Sequence, residues 1–313
     1  MKPDLSVVVA STWSAGATAT AIAAILRSAR SAGGWMELIV AADPARVGPI
    51  ASMPTDVVRV DGRPGDEAPR LRRLGLDRAR GDLVAFVEDG AIVAEGWVAA
   101  LLQAFAIAPG SLAATGPVLR GPGGTSLDRA VDLAEYGPFR LTGGCWAAPG
   151  RLAGPNFAMI RRAIPAGIEV RESEWSAEFV AIEAAAVVHV RRYAVLEAIG
   201  DRSRFGRTFG CERWDGSRPP RLARWPGIVA PAILAMQLGG LAKSVAVRRG
   251  ERFANLAALP WAVILLMGWS MGEASGWRRA WSRRGAAAGR PGGQSPDRLG
   301  SRRRRYRPGR VDA

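Results

Sequence analysis

The sequence predicts an α/β fold: parallel strands joined by crossover connections, helices on the faces of the sheet, and apolar helices at the C-terminal end. Three observations predict it. Short β-branched runs alternate with longer Ala-, Leu- and Arg-rich stretches through the first half of the chain, the pattern of strands linked by helices. Two apolar stretches, 225–247 and 254–271, follow in the second half. With 313 residues, 48% hydrophobic and 23% charged, the chain can bury a substantial core, which excludes a wholly disordered protein.

The elements follow in order. LSVVVA (5–10) is a buried strand, 18–30 a helix, and MELIVAA (36–42) a second strand. VVRV (57–60), a helix over 67–80 and LVAFV (83–87) repeat the unit. A helix over 96–108 sets Trp97, Leu101 and Phe105 on one face. SLAATGPVL (111–119) reads as one strand, and a Gly/Pro-rich segment over 137–154 reads as a mobile loop. NFAMI (156–160) and AAAVVHV (184–190) are strands flanking an acidic stretch, 169–183. Ligands of open α/β sheets sit at the carboxyl ends of the strands. Those ends carry Ser11, Thr12, Asp43, Asp61, Glu88 and Asp89, a polar and acidic rim.

Charge and composition narrow the function. Residues 278–313 hold 12 Arg and 2 Asp, or +10 of the formal +15, which leaves +5 for the 277 residues before them. The basic excess is therefore a tail, too poor in apolar residues to fold alone. Two cysteines cannot build a disulfide framework or a four-ligand zinc site, and a single histidine restricts metal binding to carboxylates. The first apolar run is too short for a secretory signal, so the start is expected to be a strand of a protein that stays inside the cell. STWSAGATAT (11–20) lacks a dinucleotide-binding glycine pattern, and no Gly-x-x-x-x-Gly-Lys-Ser/Thr loop occurs. No Gly-x-Ser-x-Gly elbow is expected and the only His has no evident Ser partner, so a serine hydrolase is not expected.

Residues 68–105, APRLRRLGLDRARGDLVAFVEDGAIVAEGWVAALLQAF, resemble the middle of the nucleotide-binding half of family 2 glycosyltransferases of the GT-A fold. In that family a helix with Ala-Arg-Asn-x-Gly leads to Gly-Asp, a hydrophobic strand, an acidic metal-binding cluster, and Gly-Trp opening a helix. Arg72 and Gly75 match the first element, Gly81 and Asp82 the second, Glu88 and Asp89 the acids, and Gly96 and Trp97 the last. GPNFAMIRRA (154–163) is similar to the family's Gly-x-Asn strand. VVHVRRY (187–193), RFGRTFGCERW (204–214) and WSMGEASGW (269–277) are similar to later blocks of bacterial members with C-terminal apolar helices. The likeness covers residues 5–277. Two departures stand out: Arg73 replaces the family's Asn, and Gly90 replaces the second Asp of the acidic cluster.

The resemblance implies a GT-A-type, Rossmann-like sheet, mixed and mainly parallel. It implies an enzyme that transfers a sugar from a nucleotide-diphosphate donor to a lipid or polysaccharide hydroxyl, with inversion, in building cell-envelope glycans. A divalent metal, Mg or Mn, would neutralise the leaving diphosphate. Glu88 and Asp89 would hold it, and His189 would approach it or the diphosphate. Ser11, Thr12 and Asp43 would contact base and ribose, Arg72 the diphosphate, and Asn156 would line the acceptor side. In the block VRESEWSAEF, Glu174 or else Glu172 would take the acceptor proton.

Each residue also has a plainer reading. Glu88 and Asp89 can be solvated turn carboxylates, and Glu172, Glu174 and Glu178 an exposed helix face. Ser11, Thr12 and Asp43 can be turn formers, Arg72 a solvated helix residue, and His189 a core histidine. A member weakened by Gly90 to a binding role, or a nucleic-acid binder led by the Arg tail, remains an alternative, although the tail would bind phosphate without sequence preference and no specific nucleic acid is expected. The expected organisation is a catalytic domain over 1–215, apolar helices over 216–277 and a disordered tail over 278–313. The apolar stretches 228–242 and 254–270, broken by Gln237 and Asn255, fall short of the roughly 20 residues of a clean span. They are expected to lie in or on the cytoplasmic leaflet, with basic residues against anionic headgroups.

Overall fold

A computed structural model describes residues 2–50, 53–136, 152–167, 169–170, 179–214, 220–247 and 252–288. The chain divides into two compact units, Met1–Tyr193 with Leu241–Ala262, and Ala194–Gly240 with Val263–Ala313.

The first unit carries the sheet. Its strands and helices run β1 (Leu5–Ser11), α1 (Ala15–Arg30), β2 (Met36–Ala42), α2 (Pro44–Val47), β3 (Val58–Asp61), α3 (Ala68–Arg78) and β4 (Leu83–Glu88). They continue through β5 (Ala91–Val93), α4 (Trp97–Ile107), β6 (Ala113–Thr115), β7 (Val118–Arg120), α5 (Ser126–Glu135), β8 (Asn156–Ile160), β9 (Phe179–Ala181) and β10 (Val187–His189). The seven-stranded sheet has the order β3-β2-β1-β4-β8-β6-β9. Strands β3, β2, β1 and β4 are parallel, and β8 runs antiparallel between β4 and β6. A second sheet, β5-β10-β7, lies beyond the end of β4. The fold class is the expected one, a mixed and mainly parallel sheet covered by helices.

Side chains alternate across β1. Leu5, Val7 and Val9 join Ile22 and Ile25 of α1 and Trp97 and Leu101 of α4 in one core, whereas Val8 joins Leu76, Phe86 and Phe157 in the other. This explains why the strand is apolar throughout: both faces are covered. Gly75 serves the second core, because a Cβ there would lie 2.3 Å from Val8 Cγ1. That close approach accounts for the glycine of the Arg-x-x-Gly element by packing alone.

The predicted strand over 111–119 is two strands in different sheets. Pro117 offers no N–H, and a Cβ on Gly116 would lie 1.7 Å from the Ala185 carbonyl oxygen, so the chain turns there from β6 into β7. Helix α5 was not predicted. Its signal is the capping box at Thr125, whose hydroxyl accepts from the Asp128 N–H while Asp128 accepts from the Thr125 N–H.

The second unit contains α6 (Val195–Glu212), most of α7 (Pro226–Val247) and the C-terminal part of α8 (Arg252–Ala288). This differs from the expected boundary near residue 215, because α6 packs with α8 at backbone distance. A Cβ on Gly206 would lie 2.3 Å from the Trp269 carbonyl oxygen, and one on Gly276 would lie 2.3 Å from that of Arg207. Residues 278–288, expected in the tail, continue α8. Gly268, Ser270 and Gly272 spell Gly-x-Ser-x-Gly within α8, but Ser270 is buried and donates to the Leu266 carbonyl, so it fastens a helix and forms no elbow.

Glu273 is buried in this unit, where Trp269 Nε1 donates to it at 3.0 Å and Arg213 Nη1 lies at 3.4 Å. Burial raises its pKa above the ordinary value of 4.5, against the opposing pull of Trp269 and Arg213. A raised carboxyl pKa means that the folded state holds the proton longer than the unfolded state, so this group's contribution to stability declines as pH rises from the ordinary value through the folded one. Replacing Glu273 by Gln is expected to keep the Trp269 hydrogen bond and remove that decline. The stability difference, variant minus wild type, should grow with pH over this window in urea titrations. A difference that falls with rising pH would show that Glu273 is stabilised as an anion.

Candidate functional site

Parallel pairing brings four strand ends to one edge. In the register Ala10 faces Glu88, Ser11 faces Ala42, and Ala42 faces Asp61, so the residues that follow β1, β2 and β4 share the carboxyl edge of the sheet. Asp89 is the fastener of this edge. Its Oδ2 accepts from Ser11 Oγ at 3.1 Å, the Thr12 N–H at 3.0 Å and the Trp13 N–H at 2.8 Å, which ties the β1–α1 connection to the end of β4. Burial pushes the Asp89 carboxyl above its usual range, opposed by these hydrogen bonds and by the charge of Arg191. Ser11 is fully buried and its hydroxyl also bonds Thr18.

Glu88 and Arg72 form the second feature. Arg72, 1% exposed, donates from Nη2 to Glu88 Oε1 at 2.6 Å and to the Gly154 carbonyl at 2.7 Å, with Nη1 3.4 Å from the Val170 carbonyl. Its guanidinium also lies 5.2 Å from the centroid of the Phe157 ring. Arg72 is thus no solvated helix residue: it faces the sheet edge and neutralises Glu88. Val170, held additionally by the Pro69 carbonyl at 3.2 Å, begins the run toward Glu172 and Glu174. Those two glutamates, with Glu178, lie outside the described residues, as do residues 137–151.

Two residues expected at the ligand, Asn156 and Asp43, are engaged by the protein itself. Asn156 is wholly buried; its Oδ1 accepts from Trp97 Nε1 at 2.9 Å, and its Nδ2 donates to the Ala185 carbonyl at 2.7 Å and lies 3.4 Å from that of Pro117. It locks β8 to α4 and to the approach to β10, whereas it was expected to line the acceptor side. Asp43 is equally buried: Oδ1 caps α2 through the Ala45 N–H and Oδ2 accepts from the Gly65 N–H, so it acts as the turn former. Asp82, from the Gly-Asp match, lies at the opposite end of β4 and pairs with Lys2 at 2.6 Å.

His189 reaches the edge through β10. It is 9% exposed, packs 4.7 Å from the Tyr136 ring and 6.2 Å from that of Tyr193, and borders Gly90. Arg191, two residues on, was not singled out from the sequence. Its guanidinium lies 4.8 Å from the Tyr193 ring centroid and 5.9 Å from that of Trp13. The signal was the cation itself, the first after the β10 histidine. Ser11, Thr12, Arg72, Glu88, Asp89 and His189 therefore share one edge with Arg191.

Among the described residues, the carboxylates at this edge do not make up a set that fits a divalent metal. Among the described residues, no group of three or more His, Cys, Asp or Glu could hold one. Asp89 Oδ2 already accepts three hydrogen bonds, Glu88 is paired with Arg72, and position 90 supplies no carboxylate. Hard cations take several anionic or carbonyl oxygens, and a neighbouring guanidinium works against them.

The sequence matches no protein-family model and no curated protein. Two solved structures that it is similar to are glycosyltransferases. A mannosyltransferase from Pyrobaculum calidifontis in complex with GDP-Man and Mn2+ is 16% identical, with 90% of this chain and 88% of that chain covered and a TM-score of 0.49. The glucosyl-3-phosphoglycerate synthase from Mycobacterium tuberculosis, in complex with Mn2+, UDP-Glc and phosphoglyceric acid, is 16% identical, with 66% of this chain and 79% of that chain covered and a TM-score of 0.44.

Proposed function

We propose that this protein is an inverting GT-A-type glycosyltransferase that moves a sugar from a nucleotide-diphosphate donor to a lipid or polysaccharide hydroxyl. The observation that carries the reading is the carboxyl edge of β1 and β4. There the residues of the family-like block, Arg72, Glu88 and Asp89, converge with the β1–α1 connection, where open α/β sheets bind ligands. In the reaction, the acceptor oxygen bonds to the anomeric carbon as the bond from that carbon to the diphosphate oxygen breaks. The leaving diphosphate keeps the electron pair, and the acceptor proton passes to a base. Glu174, or failing it Glu172, is that base, supported by the anchoring of Val170 beside Arg72 and Glu88.

The test begins with a thermal-shift screen of nucleotide sugars, because a ligand that binds only the folded state raises its stability. With the donor in hand, Glu174→Gln is expected to retain donor binding and to lower transfer by roughly 10²- to 10⁴-fold, since an amide cannot accept the proton. Full transfer in both the Glu174→Gln and Glu172→Gln variants would exclude the assignment. A screen in which no nucleotide sugar shifts the melting temperature would exclude the function.

The acceptor side is a membrane surface in this reading. Among the described residues, Phe253–Arg283 is one helix long and apolar enough to cross a bilayer, with mean hydropathy 1.5. In the second unit Ile228, Met236, Ile264, Met267 and Met271 are exposed on α7 and α8, flanked by Arg221, Arg224, Arg278 and Arg279. A clean span is disfavoured, because Asn255 accepts from Arg129 Nη1 at 2.9 Å and Glu273 is buried against Arg213, so α8 has protein-facing polar sides. An interfacial helix pair at the cytoplasmic leaflet suits an apolar face with basic flanks. Flotation with anionic vesicles is expected to carry the full chain upward; a chain that stays at the bottom at low salt would remove the membrane from the reading.

A further inference from the structure

We infer that Arg191 binds the diphosphate of the donor directly and takes the charge-neutralising place that a divalent metal would hold, so that donor binding does not require metal. The inference rests on the glycosyltransferase reading and deepens it.

Backbone pairing fixes where Arg191 sits. Strand β10 runs antiparallel to β5, with His189 facing Ala91, and the pairing extends to the Val190 N–H, which donates to the Gly90 carbonyl at 2.8 Å. Arg191 is thereby delivered against the turn at 88–90. A Cβ added at Gly90 would lie 3.2 Å from Arg191 Cβ and 3.4 Å from His189 Nε2. The space into which a side chain at position 90 would grow is therefore bordered by the Arg191 Cβ and by the His189 imidazole.

The guanidinium is also held in place. It lies against the rings of Tyr193 and Trp13, and Trp13 belongs to the connection that Asp89 fastens to the end of β4. A planar, permanently charged guanidinium with a fork of N–H donors matches the oxygens of a diphosphate, and it needs no acidic ligands to retain it. As the bond to the anomeric carbon breaks, charge grows on the diphosphate oxygen, and Arg191 stabilises that charge without taking a proton from it or giving one.

Calorimetric titration of the full chain with UDP, GDP, CDP and ADP, in EDTA and in excess MnCl2, tests this. At least one diphosphate is expected to bind in EDTA, with an affinity within about tenfold of that in Mn2+. Arg191→Gln should weaken that diphosphate by roughly ten- to a hundredfold, the range of a charged hydrogen bond, while the matching nucleoside binds unchanged. Arg191→Lys should recover part of the loss. Equal weakening of nucleoside and diphosphate would mark Arg191 as merely structural and overturn the inference. So would wild-type diphosphate affinity in Arg191→Gln, or Mn2+ strengthening wild-type binding by much more than tenfold. If no diphosphate binds in either buffer, the glycosyltransferase reading fails, and the inference falls with it.

Discussion

Exchange of Asp89 for alanine is expected to destabilise the first unit by about 3–5 kcal/mol and to abolish donor binding. The carboxylate accepts from Ser11 Oγ and from the N–H groups of Thr12 and Trp13, and each buried donor left without an acceptor costs about 1–3 kcal/mol. The β1–α1 connection would lose its tie to β4, and the ligand edge would lose its shape. Asp89→Asn separates the two effects, because its amide oxygen still accepts while the charge is gone. That variant is expected to fold and to lose turnover by on the order of 10²-fold, comparable with removal of one preorganised electrostatic group. Urea denaturation reads the first effect and sugar transfer the second. An alanine variant as stable as wild type would show that Asp89 does not fasten the connection, and full activity of the asparagine variant would remove it from the site.

Gly210→Val is expected to separate α6 from α8 and destabilise the second unit by at least about 3 kcal/mol, the upper end of overpacking penalties. A Cβ at 210 would lie 2.2 Å from the Glu273 carbonyl oxygen, and one at Gly272 would lie 2.1 Å from that of Ser203. Both obstacles are backbone, so relief requires the helices to move apart. Gly239 in α7 is the control: nothing lies within 4 Å of its Cβ direction. Gly239→Ala should leave stability unchanged or raise it by up to about 1 kcal/mol through helix propensity. Thermal melts of the two variants give the comparison, and a Gly210→Val protein that melts like wild type would disprove the close packing.

The Arg-x-x-Gly match shows how one motif can serve two purposes. Gly75 is required by the approach of α3 to Val8, whereas Arg72 reaches the carboxyl edge of the sheet and pairs with Glu88. The Gly-x-Asn match behaves the other way, since Asn156 is consumed by Trp97, Ala185 and Pro117 inside the core. Local sequence identifies such positions but not the direction a side chain takes, which depends here on partners between 16 and 98 residues away in the chain. Helix α5 lay within reach of local reasoning, because Thr125 and Asp128 carry the capping signal. The division of 111–119 was half visible: Pro117 marks the break, but only the Ala185 carbonyl shows why Gly116 must precede it.

By itself the sequence determined the parallel core strands, the helices between them and the edge at which Ser11, Thr12, Glu88 and Asp89 assemble. These follow from hydrophobic periodicity and from the rule that crossover-linked strands align their carboxyl ends. Only the tertiary structure decided which of these groups are engaged by one another. It paired Glu88 with Arg72, turned Asp89 to the backbone of residues 12 and 13, and brought Arg191 from β10 to the place beside Gly90. The physical reason is that charge balance at a site is a sum over groups from distant strands, and the pairing that sets their distances is formed only on folding.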